Sequence, residues 1–111
     1  MDALADVEVV LHLLPTDMGG RAEPCRAVAR SWRPLLDMGR TDGLNGALVE
    51  FVGTEWASPG DTVRARMWFM SPQLQHGRLF EGMTFAVHEA QPVIAHGRIE
   101  KVLNAAMRKT T

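Results

Sequence analysis

The sequence contains only one cysteine, Cys25. A single cysteine excludes an internal disulfide framework and a multi-cysteine zinc site. No apolar run approaches the roughly 20 residues that a membrane-spanning helix needs, and no Gly-x-x-x-x-Gly-Lys-Ser/Thr phosphate loop is present. Residues 1–6 are acidic where a secretory signal would be basic, so we expect a soluble, cytoplasmic protein with no membrane partner.

An excess of charge of one sign is also lacking. The 12 lysine and arginine residues are matched by 13 aspartate and glutamate residues, for a formal net charge of -1. This balance excludes a uniformly basic nucleic-acid-binding chain but not a local basic patch. Residues 21–40 and 62–78 are rich in arginine, whereas residues 1–20 carry acidic groups without lysine or arginine. A mixed, solvated surface is the alternative interpretation of this pattern.

The length of 111 residues and the hydrophobic content of 46% predict one domain over residues 1–111. The dominant local pattern is the alternation of apolar and polar residues that is typical of half-buried strands. Within residues 62–70 it assigns Met67 and Phe69 to the inner face, and Trp68 and Met70 to the outer face. Further strands are predicted over residues 7–14, 47–52, 83–88 and 93–102.

Proline and glycine separate these strands. Residues 15–20 and 58–61 are typical of turns, because proline restricts φ and glycine adopts positive φ. Pro34 argues against a helix over residues 24–36, so we expect an excursion that returns as a short strand around Trp32. Short strands joined by tight turns predict an all-β fold, a six-stranded antiparallel β-barrel with no open edge.

Six short motifs occur in a defined order along the chain. They are the strand Val7-Glu8-Val9-Val10-Leu11, the loop Gly19-Gly20-Arg21 with Pro24, the triplet Trp32-Arg33-Pro34, the turn Pro59-Gly60-Asp61 before Val63, the strand from Gly82 to Glu89, and the strand from Gly97 to Val102. In this order and spacing they resemble the C-terminal (third) β-barrel domain of elongation factor Tu. The resemblance covers residues 7–103 and leaves residues 104–111 as a C-terminal tail.

The resemblance implies the same six-stranded barrel and a binding function in translation. In elongation factor Tu, the third domain helps to hold the acceptor and T-stem backbone of transfer RNA. It also contacts the exchange factor and the GTPase domain. The chain departs from that pattern at Cys25 and Arg26, where two aromatic residues usually follow the proline, and it contains no GTPase domain. We therefore expect a stand-alone relative that binds no GTP by itself.

Catalytic and metal-ligating residues do not stand out. The histidines at positions 12, 76, 88 and 96 lack a His-x-x-x-His or Cys/His spacing. A two-residue turn between their strands would place His88 and His96 on opposite sheet faces, so they would not share a metal. Cys25 is expected to be a small buried thiol. The sequence predicts no catalytic residue, no metal and no cofactor.

The Gly19-Gly20-Arg21 loop is the leading candidate for a binding site. Glycine lets the backbone approach a partner closely, and an arginine offers a planar fork of donors to phosphate or carboxylate. An ordinary turn with a solvated arginine is the alternative. The arginines that follow would extend the site into an anion-binding patch, unless nearby acids pair with them. The candidate binding residues are Gly19, Gly20, Arg21, Arg26, Arg30 and Arg33.

Trp68 and Met70 are a second candidate, because both are predicted to lie on the outside of the barrel. An outward tryptophan and methionine suit an interface with a partner or a second copy. Packing at one end of the barrel is the alternative.

Two functional hypotheses follow from these candidates. The first is a non-catalytic, translation-linked module that contacts RNA or a translation-factor protein through the arginine-rich side. The second is a protein-interaction module, regulatory or immunity-type, that mimics the elongation factor domain without binding RNA. An enzymatic function is the least favoured alternative.

Overall fold

Six strands close into one antiparallel barrel in the computed structural model, which describes residues 4–110. The barrel strands are β1 (Val7–Leu13), β3 (Leu35–Asp37), β4 (Asn45–Phe51), β6 (Thr62–Phe69), β7 (Thr84–His88) and β8 (Val93–Val102). Around the barrel their order is β1, β6, β4, β3, β7 and β8, and β8 pairs with β1 to close the sheet. The predicted fold class is confirmed. Two short strands, β2 (Cys25–Arg26) and β5 (Trp56–Ala57), form a separate two-stranded sheet.

The helical segments within residues 4–110 are short 3-10 turns at Thr16–Met18, Pro72–Gln75 and Ala105–Met107. No helix in this part of the chain has the length and apolar character of a membrane span. Residues 1–3, at the start of the acidic N-terminal segment, lie outside the described residues, as does Thr111 at the end of the predicted tail.

Every second residue of the long strands fills the barrel interior. At β6 the alternation holds as predicted, because Met67 and Phe69 are buried while Met70, just beyond the strand, is 59% exposed. On β1, the side chains of Val7 and Leu11 are completely buried. Burial of one such side chain is worth about 1.5–3 kcal/mol, so the interior row of each strand is a main source of stability.

The excursion after residue 24 contains a tight turn at residues 28–31. The N–H of Ser31 donates to the carbonyl of Val28 and closes the turn. Ala29 and Arg30, at its centre, have left-handed φ angles of 53° and 59°. This conformation is strained for residues with a side chain. The chain then makes an isolated bridge from Trp32 to Val49 and enters β3 at Leu35, so the short strand expected around Trp32 begins three residues later.

His88 and His96 lie on the same, outer face of the barrel, so the predicted placement on opposite faces is wrong. Ala86 pairs with His96, and His88 follows two residues after Ala86 on the same side of β7. The register shifts between Val87 and His88, a β-bulge that sequence periodicity does not reveal. As a result the adjacent residues Ile94 and Ala95 are both buried.

The C-terminal tail packs against the barrel instead of fraying. Leu79 forms a parallel bridge with Arg108, and the N–H of Lys109 donates to the carbonyl of Leu79. Met107 is completely buried. The last described residues therefore belong to the same folded unit as the strands.

We expect Gly97→Ala to destabilise the barrel. A Cβ atom at Gly97 would fall 2.2 Å from Cζ of the buried Phe85 ring, so the ring or the backbone would have to shift within the core. The expected loss is about 1–3 kcal/mol in the free energy of unfolding, measured by urea denaturation. Gly46→Ala is the matched control, because only the flexible end of exposed Met70 must shift there. Equal stability of the two variants would contradict the assigned packing.

Candidate functional site

The two glycines of the Gly19-Gly20-Arg21 loop serve the packing of the chain itself. Gly19 ends the first 3-10 turn with a φ of 96°. A Cβ atom at Gly20 would lie 1.9 Å from the carbonyl oxygen of Leu14, so only glycine lets the loop fold back onto the end of β1. The close approach that Gly20 permits is therefore already used within the molecule, and Gly19 provides the positive φ of the turn.

The Arg21 side chain is held by the carboxylate of a residue that is distant in the sequence, Glu89. Its Nη1 donates to both carboxylate oxygens of Glu89 at 2.5 Å, and its Nε and Nη2 donate to the carbonyls of Glu23 and Pro24. The Nε1 of Trp32 also donates to Glu89, at 3.0 Å. About a quarter of the Arg21 side chain is exposed, at 26%. Arg21 is thus a brace between loop and barrel, and neither a solvated residue nor an open anion site.

The Cys25 side chain is buried next to this brace. Burial raises the pKa of the Cys25 thiol from 9.0 to about 11; the positive charge of Arg21 opposes the rise and the negative charge of Glu89 adds to it. Reactive cysteines have lowered pKa values and solvent access, and Cys25 has neither. The expected small buried thiol is confirmed.

Arg26 and Arg40 are engaged with acidic neighbours. Arg26 pairs with Glu55 at 3.2 Å and lies 5.9 Å from the ring centroid of Trp56. Arg40 donates to both carboxylate oxygens of Asp42, and this hydrogen bonding lowers the pKa of that carboxyl. The single patch expected from residues 21–40 is therefore divided, since acids pair with several of its arginines.

Arg30 and Arg33 lie beside Trp68 and Met70, the two residues of the other sequence candidate. The Arg30 guanidinium lies over the Trp68 ring, 4.0 Å from its centroid, and Trp68 pairs with Leu48 across β6 and β4. Trp32 pairs with Val49, and Leu35 pairs with Gly46. Arg33 therefore lies opposite Leu48, on the side of β4 that faces away from β6. The tertiary fold therefore joins two sets of residues that the sequence keeps apart.

Two parallel rows of outward side chains make up this surface. One row is Arg33, Leu48 and Trp68; the next is Leu35, Gly46 and Met70, where the N–H of Met70 donates to the carbonyl of Gly46. Leu35 and Met70 are 38% and 59% exposed, Arg33 is exposed, and Leu48 and Trp68 are half-buried. We call these six residues the β3–β4–β6 face.

The neighbouring barrel wall is different, because its charges alternate in sign. Arg66 lies within 4 Å of Glu8 and Glu50, at 3.7 and 3.9 Å, and Arg64 lies 3.8 Å from Glu100. Such exposed pairs contribute little to stability and leave a balanced, solvated surface. The β3–β4–β6 face stands out against this wall, since five of its six residues carry no charge.

Sequence patterning did not identify Glu89, Leu35, Gly46 or Leu48 as residues of a candidate site. The outward orientation of Leu48 follows from strand alternation, but its neighbours depend on the register of strands that are distant in sequence. Glu89 follows a strand, and nothing local marks it as the partner of Arg21, which lies 68 residues earlier.

No group of three histidine, cysteine, aspartate or glutamate side chains within residues 4–110 is arranged to hold a metal ion. The chain was also compared with models of known protein families, and none of them matches it.

We expect Arg21→Ala to lower the free energy of unfolding by about 2 kcal/mol, because it leaves a partly buried carboxylate of Glu89 without its charged partner. Urea denaturation at pH 7 measures the change. Arg26→Ala is the matched control: its pair with Glu55 is more than half exposed, and the expected loss is below about 1 kcal/mol. If Arg21→Ala lowers the free energy of unfolding no more than Arg26→Ala does, Arg21 does not hold the loop against the barrel.

We expect the Cys25 thiol to react slowly with Ellman's reagent at pH 8 in the folded protein and rapidly in urea.

The thiol pKa is higher in the folded state, so its neutral form contributes stability below pH 9.0 that is lost as the pH rises to about 11. A Cys25→Ala variant should lack this part of the alkaline destabilisation. An equal loss of stability in both proteins would contradict the raised pKa.

Proposed function

We propose that this chain is a non-catalytic binding module, related to the third barrel domain of elongation factor Tu, that contacts a protein partner of the translation apparatus. The observation that carries the proposal is the β3–β4–β6 face. There Trp68, Met70 and Arg33 share one surface with exposed Leu35. Tryptophan, methionine and arginine are the residue types enriched where proteins bind other proteins.

The relation to the elongation factor domain is supported by how the motifs meet. Arg21 comes from the Gly-Gly-Arg loop, Trp32 from the aromatic-Arg-Pro triplet, and Glu89 from the end of the Gly82 strand. Three of the motifs that carry the resemblance thus converge on one carboxylate.

A protein partner is favoured over RNA by the pairing of the arginines. Binding to a phosphate backbone draws its free energy from cations that replace counterions. Arg21 and Arg26 are each paired with a glutamate, and Arg64 and Arg66 also lie close to carboxylates. The remaining surface around Arg33 is mainly apolar, which suits a protein interface.

The test is capture of partners from a cell lysate on the immobilised full chain, with and without nuclease treatment, followed by mass spectrometry. We expect a protein of the translation apparatus to be retained in both halves. Met70→Glu should abolish retention, because it places a carboxylate in the centre of the face. Met18→Glu, at another exposed methionine, is the matched control and should retain the partner.

Each alternative has its own outcome in this experiment. Retention that disappears with nuclease would overturn the protein partner in favour of RNA. Retention by Met70→Glu equal to that of the wild type would overturn the assigned surface. A nuclease-resistant partner unconnected with translation, lost in Met70→Glu, would leave the surface standing and replace the translation role with a regulatory or immunity-type one.

A further inference from the structure

We propose that His12 and His96 form a two-imidazole binding site for a divalent transition metal ion of the Cu²⁺, Ni²⁺ and Zn²⁺ class. The site lies where β1 pairs with β8, and β8 lies opposite β4 in the closed barrel, so the site is separate from the β3–β4–β6 face and independent of the proposed function. Sequence spacing does not show this pair, because the two strands come from opposite ends of the chain.

The two histidines lie directly opposite one another on neighbouring strands. His12 of β1 pairs with His96 of β8, and both residues are exposed. The N–H of Leu14 donates to the carbonyl of Ile94, so by the alternation of an antiparallel ladder His12 and His96 are also a hydrogen-bonded pair. Residues paired in this way have Cβ atoms about 4.5–5.5 Å apart on the same face. Two imidazoles at this separation can both reach one ion, since a zinc–nitrogen bond is about 2.0–2.1 Å long.

A hydrogen bond orients the His12 ring. Its Nδ1 lies 2.8 Å from the hydroxyl oxygen of Thr62, the residue that pairs with it on β6. In the tautomer with the proton on Nδ1, this nitrogen donates to Thr62 and leaves the lone pair of Nε2 for a metal ion. Histidines that bind metals have their second nitrogen held in the same way, which fixes the orientation of the ring.

The His96 ring is open to a ligand. Among residues 4–110 its side chain takes part in no hydrogen bond or ion pair. Its neighbour on β7 is Ala86, whose small side chain leaves the space beside the ring unfilled. Arg98, the next outward residue on β8, has its guanidinium 4.0 Å from the carboxylate of Glu100, which lies further along the strand. The nearest cation on this strand is therefore directed away from the histidine pair.

The two imidazoles determine which ions the site suits. Within the described part of the chain no third histidine, cysteine or carboxylate joins them, and the Nδ1 of His88, on the same face, lies 2.8 Å from the carbonyl of Gln91. An ion would therefore be held by two nitrogens from the protein, with water in its other coordination positions. Imidazole nitrogen suits Cu²⁺, Ni²⁺ and Zn²⁺, whereas Mg²⁺ and Ca²⁺ require oxygen ligands.

The test is titration of the full chain, made without an affinity tag, with the Cu²⁺ complex of iminodiacetate, which leaves coordination positions open for protein nitrogens. His12→Gln and His96→Gln should each weaken binding by at least about tenfold, because the second ring binds intramolecularly once the first has bound. The double variant should bind little more weakly than either single variant. His76→Gln removes another exposed histidine and is the matched control, which should bind as the wild type does.

Urea denaturation with the same copper complex gives a second measurement. By joining β1 to β8 in the folded state alone, the ion should raise the urea midpoint of the wild type and of His76→Gln, but not that of His12→Gln or His96→Gln. Equal weakening of copper binding in all three single variants would show an adventitious ion only, bound to independent histidines, and would overturn the site. Copper binding without a rise in the wild-type midpoint would overturn the pair as a site built by the fold.

Discussion

The pairing register of β4 with its two neighbours, β3 and β6, is the constraint on which most of this structure depends. Ala47 lies opposite Phe69, and from this single alignment Val49 meets Met67 in the interior while Leu48 meets Trp68 outside. A slip of one residue would exchange the two sets, exposing the core and burying the outer row. The core and the candidate binding face are therefore two consequences of one alignment.

Closure of the barrel also limits how the molecule can bind. Each barrel strand has a hydrogen-bonded neighbour on both sides, so within residues 4–110 no long strand edge is open for an added strand from a partner. A partner of the kind proposed would then contact side chains or loops instead of adding a strand. On most of the outer wall acids and arginines alternate, and the apolar rows beside Arg33 are one part of the described surface that offers an apolar contact; exposed Trp56 lies on another.

The Glu89 carboxylate shows how a motif can mislead when it is considered alone. A Gly-Gly-Arg loop suggests a flexible anion-binding site, yet the arginine satisfies a carboxylate that also accepts the Trp32 indole N–H. Gly20 permits the loop to touch the residue that follows β1. The three features together tie a long excursion to the barrel, and that excursion in turn carries Arg30 and Arg33 to the region of the β3–β4–β6 face.

Local patterning in the sequence determined the five longer strands, several turns, the barrel class and the inward or outward direction of Met67, Trp68, Phe69 and Met70. These features follow from the two-residue period of a strand and from the backbone preferences of glycine and proline, which act between near neighbours. Only the tertiary structure decided that Arg21 meets Glu89, that a bulge puts His88 and His96 on one face, and that Arg33 joins Trp68 across β4. Those contacts join residues far apart in the chain, and their register is set by packing of the whole barrel.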